Sequence, residues 1–277
     1  MQIFDNKNAL ESYLKSFSVH QSVGFVATMG ALHEGHLSLI KLSNTQCDIT
    51  ICSIFINPTQ FNNSKDFTNY PNTIEDDLSK LKTFNCDIVY TPTINDLYDS
   101  KIESKKYNLG KIMTIMEGEF RPGHFNGMAT VVEKFLTIIK PSKAFFGQKD
   151  LQQLQIIKKL VKQMPLNIEI ISGKTIRDKN GLALSSRNKL LNTSEKQNAK
   201  HIYKSLQYCK KNKHVKIINL KKHVKKYLKI NNIDLEYIEF IDLENMKIIN
   251  QLGEKNKNAI CIAAYLNEVR LIDNIIL

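Results

Sequence analysis

Apolar positions along this chain follow two habits in alternation. Short, nearly continuous runs at Val23 to Ala27, Asp48 to Ile56, Asp87 to Tyr90, Ala144 to Phe146 and Ile168 to Ile171 read as strands, the first of them buried. Between them, Asn8 to Ser16, Gly35 to Asn44, Thr73 to Phe84, Asn126 to Ile139 and Leu151 to Lys162 repeat apolar residues at helical spacing. Thr73 is a candidate N-cap, with Glu75, Asp76 and Asp77 near the positive end of that helix's dipole. Alternation of this kind over the first 175 residues predicts an α/β fold, a parallel sheet covered by helices, with ligands at the carboxyl ends of strands. The pattern changes after Thr175. Asp178-Lys179-Asn180-Gly181 reads as a turn, two lysine-rich helices follow, and strand-like runs come at Leu235 to Ile241, Ala259 to Tyr265 and Val269 to Ile272. The expected division is a sheet domain over residues 1–175 and a smaller α+β domain over 176–277.

Composition fits a soluble globular protein, and 277 residues can bury a large core. Met1 to Lys7 has neither a basic nor an apolar segment, so no secretion signal is read there. No apolar run approaches the roughly 20 residues that cross a bilayer, so a cytoplasmic protein without membrane association is expected. Cys47, Cys52, Cys86, Cys209 and Cys261 are scattered, form no C-x-x-C pair, and read as free thiols, mostly buried. The formal charge of +12 raises the question of nucleic acid. Much of the excess lies between Lys200 and Lys229, where lysines share helical segments with Ile, Leu, Val and Tyr, and this favours a solvated helix face over a nucleic-acid groove.

The densest polar signal is Thr28-Met29-Gly30-Ala31-Leu32-His33-Glu34-Gly35-His36. A strand, a glycine-punctuated turn and a helix start offer unpaired N–H donors and a positive dipole end to a phosphate. His33 and His36 add imidazole donors, and Gly30 and Gly35 keep the backbone bare where a nucleotide must come close. A zinc metalloprotease reading fails, because His-Glu-x-x-His needs a wider spacing and Gly35 here separates Glu34 from His36. Taken alone, the segment leaves phosphate binding and a plain structural turn both open.

Four further segments carry polar residues that folding alone does not require. In Asn57-Pro58-Thr59-Gln60-Phe61, Asn57 and Gln60 offer uncharged amides suited to hydroxyls or a carboxylate. From Glu117 to Gly127, three glycines accompany Arg121 and His124 just before a helix, as in a loop closing over a small anion. Phe145 to Gln153 ends a strand in Gly147, Gln148, Lys149 and Asp150 at a helix start, which suits a phosphate. Leu184-Ser185-Ser186-Arg187-Asn188, at the domain junction, sets two hydroxyls beside a guanidinium, a clamp for a triphosphate.

Together these segments resemble one family, pantothenate synthetase. Thr28 to His36 is similar to its turn, Phe55 to Phe61 to its substrate loop and Arg121 to Gly127 to its closing loop. Phe146 to Asp150 is similar to its nucleotide loop, and Gly181 to Asn188 to its clamp. All stand in the family's order and at its spacings from about Phe25 to Asn188, and Leu271-Ile272-Asp273-Asn274 resembles its ending. The resemblance implies a Rossmann-like domain over 1–175 that binds nucleotide and pantoate, and a C-terminal lid over 176–277. It implies a ligase that joins pantoate to β-alanine with ATP and Mg²⁺ through a pantoyl-adenylate, releasing AMP and pyrophosphate, and it implies a homodimer.

The resemblance places ATP against Met29, Gly30, Ala31, Leu32, His33, Glu34, Gly35, His36, Gly147, Gln148, Lys149, Asp150, Ile176, Leu184, Ser185, Ser186 and Arg187. It sets pantoate against Gln60 and Gln153, with Gln60 also facing β-alanine, and makes His36 a proton donor. His33, His36 and Lys149 are the expected catalytic residues, and Asn57, Arg121 and His124 join the substrate-binding candidates. Mg²⁺ is expected to be held mostly by ATP oxygens and water. Three positions depart from the family's pattern: Ala27 where proline is usual, Gln148 where glutamate is frequent, and Leu184 where methionine is frequent. Gln148 and Leu184 keep similar size, while Ala27 loosens the turn. Two other classes compete with this reading. A different nucleotidyltransferase has no use for two glutamines around a carboxylate, and an RNA-binding protein leaves the histidine turn unexplained.

Overall fold

A computed structural model describes residues 1–18, 20–62, 67–68, 70–98, 101–253 and 257–277. The chain divides into two compact units, Met1–Gln148 with Gln152–Lys174, and Lys149–Leu151 with Thr175–Leu277.

The first unit is built on parallel strands β1 (Gln2–Phe4), β2 (Val23–Thr28), β3 (Ile49–Ile54), β4 (Ile88–Tyr90), β5 (Lys143–Gly147) and β6 (Glu169–Gly173). Their order in the sheet is β1-β4-β3-β2-β5-β6. The helices are α1 (Lys7–Leu14), α2 (Glu34–Asn44), α3 (Ile74–Thr83), α4 (Ile94–Tyr98), α5 (Glu117–Phe120), α6 (His124–Ile139) and α7 (Leu151–Val161). Five of the strands are the continuous apolar runs of the sequence. The edge strand β1, three residues long and mostly exposed, carries no such signal.

Register explains why the inner strands are apolar throughout. Phe25 pairs with Ile51 and Val26 with Cys52, so neighbouring residues point to opposite, equally covered faces. On one face Val26, Cys52, Val89 and Phe145 pack with Leu32, with Leu39 and Ile40 of α2, and with Leu81 of α3. On the other, Phe135 of α6 meets Phe25 at 5.7 Å between ring centroids, Tyr90 at 6.0 Å and Phe55 at 6.2 Å. Each such burial is worth roughly 1.5–3 kcal/mol. From β2 the chain steps outward to β3 and β4, then returns to place β5 on the other side of β2. The direction of winding therefore reverses between β2 and β5, and the carboxyl ends of strands at such a reversal are where ligands bind in sheets of this kind.

The second unit carries α8 (Thr193–Asn198), α9 (Lys200–Lys211) and α10 (Ile217–Ile230), followed by an antiparallel sheet. Its strands are β7 (Asp234–Asp242), β8 (Lys247–Ile248), β9 (Asn258–Leu266) and β10 (Val269–Ile276), in the order β10-β9-β7-β8. Ile202 and Leu206 of α9 and Leu220, Val224 and Leu228 of α10 pack on Ile260 and Ile262 of β9. Lys204, Lys211, Lys222 and Lys226 occupy exposed positions of the same two helices. All five cysteines are free thiols, and four are buried. Among the described residues, no helix is long and apolar enough to cross a membrane.

Candidate active site

The carboxyl end of β2 leads into a turn held from several sides. The Thr28 hydroxyl donates to the Ser53 carbonyl at 2.7 Å and accepts from the Gly30 N–H at 3.3 Å. Gly30 (φ +80°) and Ala31 (φ +51°) are both left-handed, a conformation that glycine adopts freely and alanine resists. The next N–H groups converge on the buried Asp77 of α3. Ala31 donates to Oδ2 at 2.8 Å and Leu32 to Oδ1 at 2.7 Å. Leu32 itself sends its side chain into the core.

His33 then caps α2, its Nδ1 accepting from the Gly35 N–H at 3.1 Å, and the Nδ1 of His36 accepts from the His33 N–H at 3.4 Å. The rings lie 4.1 Å apart between centroids. An imidazole that accepts at Nδ1 in its neutral form carries its proton at Nε2, so both rings present an N–H donor from that atom. A Cβ at Gly35 would lie 2.8 Å from the His33 ring, so the bareness read in the sequence is used by an imidazole. The expected unpaired backbone donors are likewise taken: Ala31 and Leu32 by a carboxylate, His33 and Gly35 by imidazoles. Glu34 is exposed, and His33 and His36 are half-buried.

Gln60 joins this turn to the loop after β3, its amide nitrogen lying 2.9 Å from the Met29 sulfur. Asn57, buried, spends its whole amide on the protein. Its nitrogen donates to Gln60 Oε1 at 3.0 Å and to the Gly127 carbonyl at 3.1 Å. Its oxygen accepts from Tyr98 at 2.6 Å and Thr59 at 3.1 Å. Asn57 thus braces Gln60. Burial pushes the Tyr98 hydroxyl up, against its bonds to Thr59 and Asn57, and so keeps it a donor. Gly127 lets α6 press on the same loop, since a Cβ there would lie 2.2 Å from the Thr59 carbonyl oxygen.

His124, also buried, completes the connection. Its Nδ1 donates to the Gln60 carbonyl at 2.7 Å, and its Nε2 accepts from Arg121 at 3.1 Å. A carbonyl only accepts and a guanidinium only donates, which fixes His124 as a neutral imidazole with the proton on Nδ1. Arg121 also lies 3.7 Å from the buried Glu117 carboxylate. The N–H of Glu117 donates to Gln152, which in turn ties down the Ile112 and Ile115 carbonyls. Gln153, the next residue on α7, is half-buried.

Gly147 ends β5 at the winding reversal, and a Cβ built there would meet nothing within 4 Å. Gln148 follows, half-buried. The histidine turn, Gln60 with Asn57, Arg121 with His124, and Gly147 are thus the candidates that the first unit assembles. Sequence reasoning missed Asp77 and Tyr98. The signal for Asp77 was a carboxylate on the apolar stripe of its helix, at positions 74, 77 and 81; Tyr98 gave none.

The remaining candidates lie in the second unit. Lys149 lies 3.4 Å from Asp150, and its carbonyl accepts from Asn274 at 2.8 Å. Ile176 accepts from the Leu184 N–H at 2.9 Å. Ser185 caps the short helical turn Ser186–Leu190 by accepting from the Arg187 N–H at 3.3 Å. Arg177 supports this segment, bonded to Asp273 at 2.5 and 2.8 Å and stacked 3.7 Å over the Tyr203 ring. Burial pushes the Asp273 carboxyl up, and Arg177 opposes it.

The family model described as Pantoate-beta-alanine ligase matches residues 2–276. The chain is 42% identical over 279 residues to the pantothenate synthetase of Flavobacterium psychrophilum, with 99% of each chain covered. Among solved structures it is similar to pantothenate synthetase from Thermus thermophilus, at a TM-score of 0.90 and 28% identity over 99% of both chains. It is also similar to pantoate-beta-alanine ligase from Francisella tularensis complexed with beta-gamma ATP and beta-alanine, at a TM-score of 0.85 and 38% identity over 99% of this chain and 97% of that one.

Proposed function

The chain belongs to the pantoate-beta-alanine ligase family, whose members are ligases, and from that premise we propose that it joins pantoate to β-alanine at the expense of ATP through a pantoyl-adenylate. In the first step a pantoate carboxylate oxygen bonds to the α-phosphorus of ATP as the bond to pyrophosphate breaks. In the second, the β-alanine amine attacks the acyl carbon and AMP leaves.

The observation that carries this reading is the strand reversal between β2 and β5, where β2 ends in a turn whose two imidazoles accept at Nδ1 and β5 ends in Gly147. Charge builds on phosphate oxygens during adenylation, and donors fixed beforehand lower the barrier without reorganising. His36 is the proposed proton donor to that charge, with His33 at the phosphates. The amides of Gln60 and Gln153 are proposed to hold pantoate, and Gln60 to face β-alanine as well. Asn57 acts by fixing Gln60, and Arg121 and His124 by fixing the loop around it. Lys149, Asp150, Ile176, Leu184, Ser185, Ser186 and Arg187 are proposed as further nucleotide contacts on their chemistry and the family resemblance. Mg²⁺ is proposed to arrive on ATP, held mostly by phosphate oxygens and water. A cytoplasmic homodimer is the proposed working form.

Exchange of labelled pyrophosphate into ATP tests the order of steps. Exchange should proceed with pantoate and Mg²⁺ but no β-alanine, and stop without pantoate. Exchange that demands β-alanine would replace the adenylate by a concerted route.

A further inference from the structure

One buried charged group beside the histidine turn has no part in the proposed chemistry. Asp77 is fully buried, yet it comes from α3, more than forty residues along the chain from the N–H groups it accepts. We infer that Asp77 is a positioning residue: through the Ala31 and Leu32 N–H groups, its carboxylate sets where His33 and His36 present their rings. The inference rests on the proposed role of those two histidines at the phosphates.

Successive N–H groups converging on one anion form a small concavity of the kind that elsewhere binds phosphate. Here the protein fills it with its own carboxylate. That contact fixes a turn whose second left-handed residue, Ala31, resists the conformation. The Thr73 hydroxyl donates to Asp77 Oδ2 at 3.1 Å and so orients the carboxylate. From the next turn of α3, Lys80 Nζ donates to the Leu32 carbonyl at 3.0 Å, so one helix grips both polar groups of Leu32. The following residue is His33, and its N–H in turn holds Nδ1 of His36. Any shift of Leu32 is passed to both rings. Gly30 packs against the same carboxylate, a Cβ there standing 3.1 Å from Oδ2.

The test uses Asp77→Asn, which keeps the size but sets an NH₂ against a backbone N–H. The imidazole ¹⁵N resonances of His33 and His36 report the rings without substrate, and pyrophosphate exchange reports their use. Asp77→Asn should move both sets of resonances and lower exchange by about 10²-fold, the scale of a small misplacement of catalytic groups. Leu10→Ala, a cavity under α1 outside the cluster that holds Leu32, should leave the resonances in place. In a His36→Ala background, Asp77→Asn should cost no more than about threefold further, because residues that act as a unit are non-additive.

Unmoved resonances in folded Asp77→Asn, or equal movement in Leu10→Ala, would overturn the inference. Should Asp77→Asn not fold, Lys80→Met decides: it should move the same resonances by a smaller amount, and their constancy would count as refutation. If the resonances move while the unaltered protein shows no exchange, the proposed function fails and the positioning role stands.

Discussion

Gly147 and His36 are proposed to serve the nucleotide in two different ways. A Cβ at 147 would meet nothing within 4 Å, so no close approach of the fold demands glycine there. Gly147→Val should therefore leave the melting temperature nearly unchanged, strands tolerating valine well, while raising the KM for ATP severalfold. A variant with normal ATP kinetics would mean that the space beside β5 is not used. His36→Ala should lower the adenylation rate by about 10²-fold, the scale of losing one preorganised donor to transition-state charge. Near-normal pyrophosphate exchange in that variant would remove the role given to its Nε2–H. Both residues were legible as chemical types, since histidines and glycines between a strand and a helix stand out in any reading of the chain. What filled the backbone donors was not. Asp77 is a distant partner of Ala31 and Leu32, and a one-dimensional pattern shows no pairing at that range.

At the scale of elements, α6 and the irregular segment before it behave as one piece. Lys105 N–H donates to Thr130 at 2.9 Å and Tyr107 N–H to Asn126 at 3.2 Å, strapping residues 105–107 along the helix. Glu133 is the outer anchor, accepting from Lys105 Nζ at 2.6 Å and from the Tyr107 hydroxyl at 2.7 Å. Burial pushes the Glu133 carboxyl up, but the bonds from Lys105 and Tyr107 outweigh it and hold the group below its ordinary value. A depressed carboxylate stabilises the fold above its unfolded pKa, and that contribution disappears as pH falls through the folded value. The melting temperature should accordingly fall less on acidification below about pH 4.5 in Glu133→Gln than in the unaltered protein. Parallel pH curves would show that Glu133 carries no such linkage. The helix itself was readable from its apolar period, except that it begins at His124 behind the left-handed Gly123, two residues before the periodic pattern. The strap was not readable, because its bonds run from backbone N–H groups and leave no period.

For the whole molecule, two sheets of different kind were foreseeable, because runs without polar alternation call for cover on both faces. The charge was readable too. Eleven lysines and no acidic residue lie from Lys200 to Lys229. The buried faces of α9 and α10 are made of Ile202, Leu206, Leu220, Val224 and Leu228, which leaves the lysines to the other side. How copies of the chain associate leaves no such stripe. The proposed homodimer should give about twice the chain mass of 31.8 kDa in light scattering, and a mass near 31.8 kDa at working concentration would contradict it.

The pairing of β2 with β5 has a consequence in time. Val23 meets its partner Ser142 across 119 residues of chain, whereas Ser22 meets Asp48 across 26. Chains lengthen at about 5–20 residues per second during synthesis, so the histidine turn waits roughly 6–24 s before β5 is made. Throughout that interval one edge of β2 is unpaired, open to whichever strand reaches it first. A nucleotide bound as proposed, against both the histidine turn and Gly147, has nowhere to settle until β5 emerges. It cannot nucleate this fold on the ribosome, and can only fasten it afterwards.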